Sequence, residues 1–229
     1  MTDTKLCIFD VDGVLVNSRE LHYPATAAAL ADYGCEYFRE EDESFGTIPT
    51  REKLHLLAEY DRINFDDVED IWQLKDEYAC EYFDDKILIN HNIKDLFKEL
   101  KRRDIWIALG SNARYSFLEK VIDALDVGGL VDHIASAQGM MPKPDPYMYT
   151  SAMEKFKVLP ENTVIFEDSE VGRQAAYDSG AFVYEVESYD ELSVEILNEI
   201  NCPSCQFKWS VALHRKLSRT NPSLHPKWV

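Results

Sequence analysis

Positive charge is what this 229-residue chain has least of: 24 Lys and Arg stand against 42 Asp and Glu. The shortage is sharper still before residue 201, because Lys208, Arg215, Lys216, Arg219 and Lys227 all fall in residues 201–229, which hold no Asp or Glu. So acidic a body should repel nucleic-acid phosphates rather than gather them, which argues against a nucleic-acid partner. Long apolar runs are also missing, and no stretch approaches the ~20 residues that a membrane-spanning helix needs. Met1-Thr2-Asp3-Thr4-Lys5 runs into the first apolar segment without a signal or transit pattern. Cysteine is sparse and odd in number, five in all, with Cys7 in an apolar strand and Cys35 and Cys80 in helical or loop text. That usage fits a reducing cytoplasm better than a disulfide framework, so a soluble cytoplasmic protein is expected. Internal repeats are absent as well.

What is present is an ordinary apolar content, 45%, enough for one large domain or a core with a smaller insertion. Lys5-Leu6-Cys7-Ile8-Phe9 reads as a buried strand, and Gly13 breaks it sharply. From Ser18 to about Lys86 the text is helical and very acidic, with helices expected over Leu21–Tyr33, Thr50–Tyr60 and Asp67–Phe83. Beyond Asn92 helices and strands alternate. Ile93, Leu96, Phe97 and Leu100 mark one helix face and Phe117, Val121, Ile122 and Leu125 the next. Strands are expected at Ile105–Leu109, around Ile134, at Thr163–Phe166 and at Ala181–Tyr184. This rhythm predicts an α/β protein whose parallel sheet is covered on both faces, with a helical insertion after the first strand.

Open parallel sheets bind ligands beyond the C-terminal ends of their strands. That rule gathers Asp10 and Asp12, Ser111 and Asn112, Lys143, and Glu167 and Asp168 on one rim, although they span about 160 residues of chain. Each suits a separate task in phosphoryl transfer, which depends on positioning and on neutralising charge. A carboxylate such as Asp10 can attack phosphorus, and Asp12 can shuttle the proton as acid and then base. Glu167 and Asp168, with Asp10 and the backbone carbonyl of Asp12, offer the oxygen ligands that Mg²⁺ prefers. Ser111 and nearby N–H groups at a helix start suit a phosphate oxygen, and Lys143 supplies a point charge. Taken singly, Asp-Gly is also a common surface turn, Ser111-Asn112 and Glu167-Asp168-Ser169 are also helix caps, and Lys143 is also a loop lysine. Their shared rim is what favours a site.

Asp10-x-Asp12-Gly13, Gly110-Ser111-Asn112, Lys143-Pro144-Asp145-Pro146 and Phe166-Glu167-Asp168-Ser169-x-x-Gly172 resemble, in order, the four motifs of the haloacid dehalogenase superfamily, over residues 5 to about 186. The resemblance implies a Rossmann-like core, an aspartyl-phosphate intermediate and a Mg²⁺ requirement. Dehalogenases of that superfamily lack the second aspartate of the first motif, so Asp12 points to phosphoryl transfer. The helical insertion is similar to the cap of the subgroup that contains phosphoglycolate phosphatase and β-phosphoglucomutase. The division expected is a core of residues 1–16 and 87–200, a cap of residues 17–86 and a basic extension of residues 201–229. Hinges are expected near Val16–Ser18 and Lys86–Asn90.

Within the cap, His22, the Gly46–Glu52 loop with Arg51, and Lys75 resemble substrate-side residues of the β-phosphoglucomutase group, whereas Asn17 stands where an aspartate is frequent. A mutase must hold a bisphosphate at both ends, and this cap is rich in acid, so hydrolysis of a small phosphomonoester is favoured over a sugar-phosphate mutase. A binding protein with a decayed site is the non-enzyme alternative, and the intact Asp10, Asp12, Lys143 and Asp168 argue against it. In the extension, Cys202 and Cys205 with His214 and His225 suggest zinc, but the spacing is not that of a finger. Packing of Phe207, Trp209 and Trp228 on the acidic body, or on a partner, is the expectation preferred.

Overall fold

The computed structural model describes residues 4–46 and 48–200, so the expectations placed on residues 201–229 lie outside the described residues. Along the chain, β1 (Leu6–Phe9) leads through a tight loop to β2 (Val16–Asn17). Five helices follow: α1 (Arg19–Asp32), α2 (Arg39–Phe45), α3 (Thr50–Glu59), α4 (Val68–Glu81) and α5 (Phe83–Lys86). The chain returns through β3 (Leu88–Ile89) and continues as α6 (Ile93–Arg102), β4 (Trp106–Ser111), α7 (Tyr115–Leu125) and β5 (His133–Ser136). It ends with α8 (Tyr147–Phe156), β6 (Thr163–Glu167), α9 (Glu170–Asp178), β7 (Phe182–Glu185) and α10 (Ile196–Ile200).

Five strands form one parallel sheet in the order β5-β4-β1-β6-β7. Side chains alternate across it, as the pleat requires. Cys7, Phe9, Ile107, Leu109, Val164 and Phe166 join one core with α6, α7 and α10, while Leu6, Ile8, Ala108, Ile165 and Val183 join a second with α8 and α9. The fold is the Rossmann-like sandwich expected from the sequence, with β1 at its centre. Register places the rim: Phe9 pairs with both Leu109 and Phe166, so Asp10 emerges level with Gly110 and Glu167. The stacked rings of Phe9 and Phe166, 4.5 Å between centroids, lie directly beneath that level.

The helical insertion between β2 and β3 has a core of its own, in which Leu30, Leu54, Leu57, Val68, Ile71 and Trp72 meet. Leu21, Ala25, Ala79 and Phe83 belong instead to the main core, which ties α1, α4 and α5 to the sheet layer. Both crossings between the sheet and the helical insertion run through β2 and β3, an antiparallel pair with Val16 opposite Ile89 and Asn17 opposite Leu88. Asn90, buried just beyond, donates to the carbonyls of Tyr189 (3.0 Å) and Leu192 (2.8 Å) and fixes the return crossing to the loop after β7. Cys7, Cys35 and Cys80 are free thiols, as expected.

Candidate active site

The loop after β1 is wound tightly. Gly13 takes φ +79°, its N–H donates to the Val16 carbonyl (2.7 Å), and the Val11 carbonyl accepts from Leu15 (2.9 Å). A Cβ at Gly13 would stand 2.0 Å from Asp168 Oδ2, so this turn and the loop after β6 touch at a point where only glycine fits. The turn leaves Asp10 buried, with Oδ1 accepting from the Val11 N–H (2.7 Å) and paired with Lys143 Nζ (2.9 Å).

Lys143 joins two carboxylates. Only 3% exposed, it also reaches Glu167 Oε2 at 2.7 Å, and its backbone N–H donates to Asn112 Oδ1 at 2.9 Å. Burial alone would lower the Lys143 ammonium, yet the Asp10 and Glu167 charges hold it well above the usual lysine range. Glu167 is fully buried and accepts four hydrogen bonds: from Lys143 Nζ, the Tyr149 hydroxyl (2.6 Å), the Ser169 hydroxyl (2.9 Å) and the Ser169 N–H (3.1 Å). Burial would raise its carboxyl, but Lys143 and these donors keep it below the ordinary value. Gly172 makes room for it, since a Cβ there would stand 2.1 Å from the Glu167 carboxyl carbon.

Asp10, Glu167 and Asp168 each present a carboxylate oxygen within 4.8 Å of the others. Burial, then the charge of Glu167, pushes Asp10 well up and Asp168 to about 6, with Lys143 opposing both. Carboxylates crowded in this way fit a hard divalent cation, which favours their ionised forms. Glu167 already carries four donors, so Asp10 and Asp168 have more lone pairs to offer.

Asp12 belongs to a separate network. Its Oδ1 accepts from Ser18 Oγ and lies 3.1 Å from His22 Nε2, while His22 Nδ1 lies 3.1 Å from Lys75 Nζ. In the neutral ring Nδ1 accepts from the Lys75 ammonium and Nε2 carries the proton toward Asp12, whereas the protonated ring sets a positive charge beside that carboxylate. Burial would raise the Asp12 carboxyl, but the charge and hydrogen bond of His22, with Ser18 and Lys75, hold it at about 2. Two helices of the insertion, α1 and α4, thus reach down to a residue of the sheet rim.

These groups open on a cleft of about 970 Å³ between the rim and the helical insertion, lined by Asp10, Asp12, Ser111, Asn112, Lys143 and Asp168 on one side and by His22, Lys53, Lys75 and Asp42 on the other. Asp10, Asp12, His22, Ser111, Asn112, Lys143 and Asp168 therefore share one space, with Glu167 buried behind it. Arg51 is placed elsewhere: it pairs with Glu69 Oε2 (3.1 Å), lies over the Trp72 ring (5.4 Å) and lines a small pocket beside Asn112 and Pro142. Arg114, at the start of α7, meets Glu69 from the other side (3.1 Å). Sequence reasoning did not single out Ser18, Tyr149, Lys53 or Arg114. Tyr149 carried a signal, six residues after Lys143 on the apolar face of α8, because a buried tyrosine hydroxyl needs a partner.

The model of the haloacid dehalogenase-like hydrolases matches residues 7–186. A phosphorylated carbohydrates phosphatase of Thermotoga maritima is 29% identical over 182 residues, covering 76% of this chain and 80% of its own. A β-phosphoglucomutase of Bacillus subtilis is 27% identical over 193 residues, 78% of this chain and 81% of its own. The crystal structure of CbbY from Rhodobacter sphaeroides in complex with phosphate superposes with a TM-score of 0.71 at 27% identity, over 82% of this chain and 88% of that one. With its four rim motifs brought to one cleft and its length matched from the first strand to the last, the chain belongs to the haloacid dehalogenase-like hydrolases.

Proposed function

We propose that this protein is a Mg²⁺-dependent phosphatase that hydrolyses a small phosphomonoester through an aspartyl-phosphate, with residues 17–86 acting as a cap over a core of residues 1–16 and 87–200. The observation that carries the reading is the buried Lys143 held between Asp10 and Glu167 at the floor of a cleft. Asp10 attacks phosphorus, and the P–O bond to the alcohol breaks as the alcohol oxygen takes a proton from Asp12. Water then attacks the aspartyl-phosphate, giving its proton to Asp12 and releasing inorganic phosphate. Ser111, with Asn112 and nearby N–H groups, holds phosphoryl oxygens, and Lys143 offsets their charge. Asp10 and Asp168, the Asp12 carbonyl and Glu167 are the groups that would hold the cation. When bound, Mg²⁺ supplies charge stabilisation at the phosphoryl oxygens. At about 2, Asp12 rests as the carboxylate, so it must gain a proton and leave Ser18 and His22 before it serves as the acid.

Hydrolysis is favoured over mutase chemistry by the charges of the cleft. Its lining holds Asp10, Asp12, Glu20, Asp42, Glu43, Asp76, Asp168 and Glu187 against Arg19, Arg39, Lys53, Lys75, Arg114 and Lys143. Arg39, Lys53 and Arg114 already pair with Glu20, Asp42 and Glu69, which leaves poor accommodation for a second phosphate. The test is a screen of phosphorylated metabolites with Mg²⁺, including β-glucose 1-phosphate with and without its 1,6-bisphosphate. Phosphate release is expected, and Asp10→Asn should lower it by roughly 10³-fold or more, as removal of a nucleophile does. Conversion to glucose 6-phosphate without phosphate release would establish the mutase instead.

A further inference from the structure

Asp42 and Lys53 form a largely buried ion pair that lines the cap side of the cleft. Lys53, in the first turn of α3, is 9% exposed, and its Nζ lies 2.8 Å from Asp42 Oδ1, which α2 supplies. The same Oδ1 accepts from the Tyr37 hydroxyl at 2.8 Å. Among the described residues, both donors converge on that one oxygen, so Oδ2 and two of the three ammonium protons have no protein partner. Among the described residues no buried side-chain N or O lacks a hydrogen bond, so Asp42 Oδ2, which has none, is not sealed inside the cap.

Position favours a ligand role. Asp12 must stand beside the leaving oxygen, so the alcohol part of the substrate lies toward the cap residues that reach Asp12. Those residues are His22 and Lys75, and the Lys53 charge is felt at Lys75. We propose that the Asp42–Lys53 pair recognises the alcohol moiety, and that this moiety is a polyol or sugar presenting neighbouring hydroxyls. One hydroxyl accepts from Lys53 and its neighbour donates to Asp42 Oδ2, a match that neither a bare alkyl group nor a second phosphate provides. A second anion would also face Glu20 and Glu43 in the same lining. Held by Tyr37 and by each other, the two side chains are oriented before the ligand arrives.

The inference rests on the phosphatase reading, and one kinetic series separates the two. Phosphate release with Mg²⁺ is measured for glucose 6-phosphate, ribose 5-phosphate and glycerol 3-phosphate, and for phosphoglycolate and p-nitrophenyl phosphate, which lack neighbouring hydroxyls. The wild-type protein should prefer a polyol ester. Lys53→Met should lower kcat/KM for that ester about tenfold more than for p-nitrophenyl phosphate, mainly through KM, the scale of one charge-assisted hydrogen bond. Asp42→Asn keeps the side-chain shape, so it should fold and show the same selective loss even where Lys53→Met does not. Equal losses on both kinds of ester, or a wild-type preference for phosphoglycolate or p-nitrophenyl phosphate, overturn the role of the pair and leave the phosphatase standing. Absence of hydrolysis of every ester overturns the phosphatase reading, and the inference with it.

Discussion

Glu167 does most of its work unseen by solvent. Its four donors orient a carboxylate that in turn fixes Lys143 against Asp10, so the position of the proposed nucleophile depends on a tyrosine outside all four motifs. Tyr149→Phe keeps the ring that stands against Gly110 but removes one donor, which should lower kcat about tenfold while moving KM little, since ~1–3 kcal/mol attends loss of a partner to a buried charge. Steady-state kinetics with thermal unfolding would check this; a parallel loss in KM would place Tyr149 in substrate binding instead. Asp12 carries a pH signature. Its carboxyl drops from 3.8 to about 2 on folding, so its stabilising share is complete above about pH 4 and lost as pH falls through about 2. Acid unfolding of Asp12→Asn should therefore lack that part of the pH dependence, up to about 2 kcal/mol. The rim carboxylates were legible because they follow the ends of β1 and β6 in recognisable motifs, and Lys143 because the loop after β5 carries another. Tyr149 and Lys53 were not, because their roles depend on which side chain lies across a gap of about 20 or 10 residues.

Parallel register explains why the rim could be read from text at all. Once β1, β4 and β6 are neighbours, Phe9, Leu109 and Phe166 align and the residues that follow must emerge on one edge. The strands themselves were visible as short apolar runs. By contrast, β2 and β3 are two residues each, too short for any period to show, and only their pairing makes them strands. Arg51 illustrates a different limit: a helix of known span does not say which way an arginine turns, and here Glu69 and Trp72 draw it out of the main cleft. At the start of α9 the constraint is steric. Gly172→Ala would drive a methyl group into the Glu167 carboxylate, and either the helix shifts or the carboxylate leaves Lys143. The expected cost is about 1–3 kcal/mol of stability, typical of overpacking, with a larger proportional loss of turnover. Chemical denaturation beside kcat would separate the two effects.

Across the whole molecule acid outweighs base, 42 Asp and Glu against 24 Lys and Arg, and the rim sets three carboxylates side by side. Asp168, raised to about 6 by burial and by Glu167, favours the protonated form in the folded state. Between its unfolded value near 3.8 and about 6 the native state binds the extra proton, so stability falls as pH rises through that window. In chelator the protein should accordingly be less stable at pH 7 than at pH 5, by up to about 2 kcal/mol from this group. Added Mg²⁺ should raise Tm more at pH 7 than at pH 5, because the cation competes with that proton; an equal rise at both pH values would remove Asp168 from the cation site. The paired crossing at β2 and β3 has a consequence of another kind. Departure and return of the chain lie side by side, with Val16 opposite Ile89, so a segment of almost any length can be spliced there without disturbing the order of the sheet. The graft must still supply apolar side chains where Leu21, Ala25, Ala79 and Phe83 now close the main core. That pair of short strands is thus a port through which the inserted segment joins the sheet layer, with four buried positions as its compatibility code.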